Sequence, residues 1–424
     1  MHSKQKSQAD EHKEEDVYTT FTSSQRYLII TLLGTAMLAS PLTATMYLPL
    51  LPLLATKFHT SLQAINLTIT VYVIFQAISP VLLSSPSDYF GRRPFYIFTF
   101  SLYTIASLGL ALNRIANYGL LIFLRACQSL GASAVLSMSY GSMADITVHA
   151  ERGRFLDPML AAGNLGTCIA PIFGGLIAYK SGSFEWAFWA LFIFGAFMLL
   201  TLAFLLPETA RNVVGNGSIE DKKWNQPWCK LVHASWKAPQ ELSEKGEEQS
   251  IANKPKRRLK ISNVFRFVKI IFYKDCFLSI WISSSFYALW YCVQASIPST
   301  YSSSPYELSE LQVGLTYLTG AVGVIICMYI CGKVLDHNYT VTATRTGLSV
   351  DKKKGDEVAE FPIEKARSRG CSYVLLISLS STIGYGWAIE SHAHISIPLI
   401  LQGILGFVAT WLIQSFNIVV VDSR

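Results

Sequence analysis

The feature that most constrains this chain is the spacing of its charges. Tyr27–Thr56 is thirty residues without an Asp, Glu, Lys or Arg. A bilayer core is about 30 Å thick, so about 20 apolar helical residues cross it. The apolar core of a cleaved leader is shorter, roughly 7–15 residues behind a basic flank. Here the flank is acidic, with Glu11, Glu14, Glu15 and Asp16. The segment is therefore read as a retained first span, and the chain as an integral membrane protein.

The pattern recurs. Ten spans are predicted: Tyr27–Leu51, Ala64–Ser84, Phe95–Leu112, Tyr118–Tyr140, Pro158–Tyr179, Trp186–Leu206, Cys276–Ile297, Leu311–Val334, Cys371–Ile389 and Ile395–Val421. Only Pro207–Lys274 and Leu335–Gly370 are long and polar. Composition agrees, because 15% of residues are charged, against about 25% in soluble proteins.

Lys and Arg collect in cytoplasmic loops. With the N-terminus in the cytoplasm, that side holds Arg92, Arg93, Arg152, Arg154 and the basic residues of both polar segments. The outer side keeps little more than Lys57, Arg114 and Lys180. Topology thus accounts for the net charge of +7, and nucleic acid is not an expected partner. The basic run Lys254–Lys260 is read as a topology marker that touches anionic lipid. The layout is a cytoplasmic tail (1–26), a six-helix bundle (27–206), a partly disordered cytoplasmic loop (207–275) and a second bundle of four visible helices (276–424).

Polar residues in this setting need explaining. Asp88, Gly91, Arg92 and Arg93 fall in the short connection Ser84–Pro94. Asp88 is expected near a helix start, where the dipole favours a carboxylate, with Gly91 making the turn. This reads either as a capped, positive-inside loop or as a charge-locked gate. Arg125 lies about seven residues into span four. A charge at that depth is costly and marks function, so Arg125 is expected to face a watery cavity, with Gln128 on the same helix. Gly166, Pro171, Gly174 and Gly175 punctuate span five and permit close packing. Gln294 and Gln402 are further polar residues inside spans. Acids such as Asp145 fall near span ends. Cys327 and Cys331 share a helix face without an acid or imidazole beside them, and His392 and His394 stand two apart; neither pair is read as a metal site. No GxxxxGK[ST] loop, nucleophile elbow or HExxH occurs, so no cofactor, ATP-driven step or enzyme chemistry is expected.

At these positions the sequence resembles the major facilitator superfamily, and more closely the fungal branch of the twelve-span drug:proton antiporters. The loop signature GxxxDxxGR[RK] corresponds to Ser84, Asp88, Gly91, Arg92 and Arg93, with Ser for the first Gly. The span-four pattern RxxQGxG corresponds to Arg125, Gln128, Ser129 and Gly131. The antiporter pattern GxxxGPxxGG corresponds to Gly166, Ala170, Pro171, Gly174 and Gly175. Further strings similar to the fungal branch include Ser40-Pro-Leu, Tyr72 with Gln76 and Pro80, Pro207–Ser218, Tyr291–Pro298 and Phe361–Arg367.

The resemblance implies an all-α, two-bundle transporter that exports small organic molecules by alternating access against proton influx. It implies a monomer in the plasma membrane. Arg125 and Gln128, with Gln294 and Gln402, would serve substrate or proton. Asp88, Gly91, Arg92, Arg93 and Asp145 would gate. The family continues with two spans beyond this chain's last residue, Arg424. A truncated or degenerate, non-transporting relative with a binding or regulatory role is the second expectation.

Overall fold

The computed structural model describes residues 19–113, 117–147, 152–215, 273–346 and 370–422. The expected N-terminal tail (1–18 of it), most of the central loop with Lys254–Lys260, and Phe361–Arg367 lie outside the described residues.

The first span starts at a reciprocal cap. The Thr22 hydroxyl accepts from the Gln25 N–H, and the Gln25 side chain accepts from the Thr22 N–H. The span then runs as α1 (Ser23–Met37), α2 (Ala39–Met46), a 3₁₀ turn (Leu48–Leu50) and α3 (Leu51–Lys57). Pro41, Pro49 and Pro52 explain the divisions, since each removes a helix donor and crowds the preceding turn. There follow α4 (Leu62–Phe90), α5 (Arg92–Ala111), α6 (Tyr118–Ile146), α7 (Arg152–Ser181), α8 (Glu185–Leu205) and the single turn α9 (Arg211–Val214). The later helices are α10 (Lys274–Ser302), α11 (Glu310–Thr346), α12 (Cys371–Glu390) and α13 (Ser396–Asp422).

Among the described residues, nine helical stretches are long and apolar enough to cross a membrane, α1–α3 counting as one. The thirty-residue α7 stands with them, with no charge between Asp157 and Lys180. Large apolar side chains on the outside, such as Phe98, Ile105, Phe123, Phe197, Ile383 and Trp387, suit a surface solvated by lipid tails.

The helices pack in two groups. α4 packs on α6, α5 on α6 and α8, and α7 on α1 and α2. α13 is the hub of the second group, touching α10, α11 and α12. The groups meet where α7 lies along α11 and where α10 touches the 3₁₀ turn and α3. One buried apolar cluster bridges them, from Leu33, Tyr47 and Phe188 to Ile297, Tyr301 and Tyr317.

Two sequence expectations shift. Ser84–Phe90 is not loop but the end of α4, and one residue, Gly91, separates α4 from α5. α11 runs twelve residues past the expected span end at Val334, to Thr346. Leu335–Thr346 is polar enough to leave the bilayer, yet nothing in it breaks a helix: it has neither Pro nor Gly.

Candidate functional site

Gly91 makes the α4–α5 junction possible. Its φ of +108° is open to glycine and strained for any L side chain. A Cβ there would also stand 2.6 Å from a Glu208 carboxylate oxygen. Asp88 therefore sits in the last turn of α4, not at a helix N-terminus, and the expected dipole cap is corrected accordingly. It is held instead by Arg92, four residues on, at 2.8 Å, while Arg92 reaches Asp145 on α6 at 2.7 Å. Arg92 thus joins three helices. Arg211 Nε donates to the Asp145 carbonyl and Asn212 to the Asp88 carbonyl, so α9 covers the cluster.

The N-terminus of α5 is capped from 116 residues away. The Glu208 carboxylate accepts from the backbone N–H of Arg92 (2.8 Å) and Arg93 (3.1 Å), and from Thr209 and Ala210. Arg93 in turn donates to the Ala203 carbonyl of α8. A carboxylate on these otherwise unpaired N–H groups gains both hydrogen bonds and the helix dipole. Glu208 is only 3% exposed. Glu208→Ala would orphan four buried donors at roughly 1–3 kcal/mol each before relaxation. It is expected to lower the thermal midpoint sharply in detergent and to cut the yield of folded protein. An unchanged midpoint would dismiss the cap.

Deep in the first group, Arg125 of α6 is 1% exposed. Its guanidinium lies 4.1 Å from the Tyr47 ring centre and 4.4 Å from that of Tyr72. Nη1 donates to Gln128 Oε1 at 2.9 Å and to the Thr43 carbonyl at 3.4 Å, and Gln128 passes the chain on to Ser107. No acid pairs with Arg125 among the described residues, and its Nε finds no partner. Burying a cation without an acid costs several kcal/mol. Two ring contacts at about 2 kcal/mol each when desolvated, and a charge-assisted bond of about 1.5–3 kcal/mol, offset that cost. The sequence placed Arg125 on a watery cavity; here aromatic rings cover it. Around this core Tyr72 donates to the Ser40 carbonyl, Gln76 to the Ser40 hydroxyl, and Ser40 meets Ser133. Tyr291 of α10 packs against the buried cluster that holds Tyr47.

The span-five residues are all at contacts. Gly166 faces Leu38 and Pro41, and Gly174 faces the Met46 carbonyl. A Cβ on Gly175 would stand 2.5 Å from the Glu310 carbonyl and 3.1 Å from the Gly314 Cα of α11. Pro171 is buried on the same line, its carbonyl against Gly314. α7 and α11 therefore touch backbone to backbone.

The two remaining glutamines do not join Arg125 in one shell. Gln402 of α13 is fully buried and donates to the Thr316 carbonyl of α11. Gln294 is buried on α10, where its carbonyl accepts the Tyr317 hydroxyl. The sequence reading missed Glu208, Tyr47 and Gly314 as partners. Glu208 lies inside Pro207–Ser218, but the helix start that it caps, at Arg92 and Arg93, is remote in sequence.

The profile of the Major Facilitator Superfamily matches residues 33–423. The MFS-type transporter phiD of a fungal species is 30% identical over 96% of this chain and 60% of its own length. Citrate exporter 1 of Aspergillus niger is 32% identical over 95% of this chain and 75% of that protein. MFS antiporter QDR2 of Candida albicans is 30% identical over 97% of this chain and 79% of that protein. The chain thus spans about three fifths to four fifths of these relatives. In structure, the xylose transporter XylE from E. coli, partially occluded and inward open, superposes with a TM-score of 0.58 at 13% identity, covering 93% of this chain and 86% of that one. The chain is a multi-pass membrane protein that belongs to the major facilitator superfamily.

Proposed function

We propose that the chain is a secondary active transporter that exports small organic molecules by alternating access, with proton influx as the driving force. The observation that carries this reading is the backbone contact of α7 with α11 at Gly175 and Gly314. It is the main junction between the two helix groups, and a surface without side chains lets one group rock on the other. The charge cluster at Asp88, Arg92 and Asp145 supports it, because it can lock one arrangement and open in another. The names of two relatives, a citrate exporter and an antiporter, favour export and antiport. In the same reading, residues 27–206 and 276–424 are the two bundles, the N-terminus is cytoplasmic, and the protein works as a monomer in the plasma membrane.

The test is efflux from liposomes that hold the purified chain under an imposed pH gradient. A panel of labelled organic cations and weak acids is followed, with a full-length relative as control. Efflux that collapses with an uncoupler supports the reading. Its absence from folded protein, with an active control, would favour the non-transporting, ligand-binding alternative.

Asp88→Asn separates gating from folding. The Asp88 side chain is 44% exposed, so its ion pair contributes at most about 1 kcal/mol. The variant is expected to melt near the wild type but to turn over several-fold more slowly. Wild-type turnover would leave Asp88 a simple topology residue.

A further inference from the structure

We propose that the free edge of the Arg125 guanidinium binds the carboxylate of a small organic monoanion, so that the exported substrates are monocarboxylates rather than organic cations. This deepens the export reading and rests on it for the way a ligand reaches the residue.

A guanidinium carries five N–H donors in one rigid plane. Nη1 of Arg125 is committed, to Gln128 Oε1 and to the Thr43 carbonyl. Among the described residues neither Nε nor Nη2 has a hydrogen-bond partner. The hydroxyls of the two rings beside the charge bond elsewhere, Tyr47 to Thr68 and Tyr72 to the Ser40 carbonyl. Nε–H and one Nη2–H point the same way, side by side, which is the geometry that meets both oxygens of one carboxylate. These donors converge because they belong to a single planar group.

Charge selects the same ligand. Residues 27–56, 62–87, 95–113, 118–144, 158–179, 186–206, 276–306, 311–332, 371–389 and 395–421 contain no Asp, Glu or Lys, and Arg125 is their only Arg. An organic cation would meet no acid in any of these segments and one like charge. A monoanion would neutralise a buried cation that now lacks an acid, and an unpaired buried charge is costly. A dianion would bring a second charge for which these segments hold no cation. A neutral amide would lack both the charge and the second acceptor oxygen. Arg125 is buried, so the structure shows the site closed. Tyr47 immediately precedes the 3₁₀ turn Leu48–Leu50, which meets α10 and α11. One ring on the guanidinium thus stands at the junction of the two helix groups, and parting of the groups there opens the way to it.

The test is saturation-transfer NMR on the 424-residue chain in lipid nanodiscs at pH 7.5, where a carboxylic acid of ordinary pKa, about 4.3, is ionised. Butyrate, octanoate and benzoate are the probes, each beside its amide and the matching primary ammonium, with succinate as the dianion and empty nanodiscs as background. At least one monocarboxylate is expected to bind saturably. Its amide and ammonium counterparts should bind roughly tenfold more weakly or worse, the loss that one charge-assisted contact implies. Arg125→Gln should abolish carboxylate binding, and Arg125→Lys, which keeps the charge without the fork, should weaken it roughly tenfold. The comparison of carboxylate with amide on the unaltered chain decides the matter should both variants misfold. No saturable carboxylate binding, equal binding of carboxylate and amide, preference for an ammonium, succinate tighter than every monocarboxylate, or undiminished binding in folded Arg125→Gln would overturn the proposal. Occupancy is read without a gradient, so carboxylate binding by a chain that fails the efflux assay upholds this inference and counts against export alone. Efflux of the ammonium probes without carboxylate binding does the reverse.

Discussion

Arg125→Ala is expected to reduce gradient-driven efflux to that of empty liposomes while the protein still folds. The two halves of this expectation have different origins. A buried cation with no acid beside it contributes little net stability, because ring contacts and one strong hydrogen bond are set against desolvation. Its removal leaves Tyr47 and Tyr72 to close on each other and costs a modest amount. The same cation is the only formal charge among α6 residues from Tyr118 to Ala144, so no other residue of that stretch can replace it toward a substrate or a proton. Arg125→Lys sharpens the test. An ammonium keeps the charge but lacks the planar guanidinium that lies 4.1 and 4.4 Å from the two ring centres. Less than a tenth of wild-type efflux is expected from it. Full efflux from folded Arg125→Ala would remove the residue from the pathway.

Gly175→Leu carries the second large effect, and here the loss is mechanical. A single Cβ already falls 2.5 Å from the Glu310 carbonyl, well inside contact distance, and that atom is backbone, so it cannot rotate away. α7 and α11 must separate. Overpacking of this kind costs about 1–3 kcal/mol, which a large protein survives. Efflux should fall at least tenfold, and Gly175→Ala should lie between. The measurement is efflux rate beside thermal midpoint for the three chains. Rates that stay at wild type in Gly175→Leu would mean that the groups do not move along this line.

Much of this architecture can be read from charge spacing. Spans of twenty or more uncharged residues have one stable solution in lipid, and their helices lie where that rule puts them. What the spacing cannot carry is where a helix stops. Asp88 looked like a residue at a helix start because Ser84-Ser-Pro-Ser is turn-like in composition, yet α4 continues through Pro86 and is broken by Gly91 alone. Leu335–Thr346 looked like loop because it is polar, although polarity ends a membrane crossing and not a helix. The site was legible in its members and not in its contacts. Arg125, Gln128 and Asp145 stood out as polar residues in or beside apolar spans. Glu208 did not, because the helix it caps begins with backbone N–H groups, those of Arg92 and Arg93, more than a hundred residues away. Tyr47 and Tyr72 looked like ordinary aromatic packing until a guanidinium was seen between them.

The unbroken length of α11 gives the protein a lever. Thirty-seven residues make a rod of about 55 Å at 1.5 Å per residue, against a hydrocarbon layer of about 30 Å. In the proposed rocking motion its pivot is the glycine contact near one end, at Gly314, and its far arm is the stretch from Lys333 to Arg345. A small tilt at the pivot becomes a large sweep at the tip. The chain thus carries its own pointer, by which a fluorophore near Arg345 would register movements that, at the contact itself, amount to little more than the width of an atom.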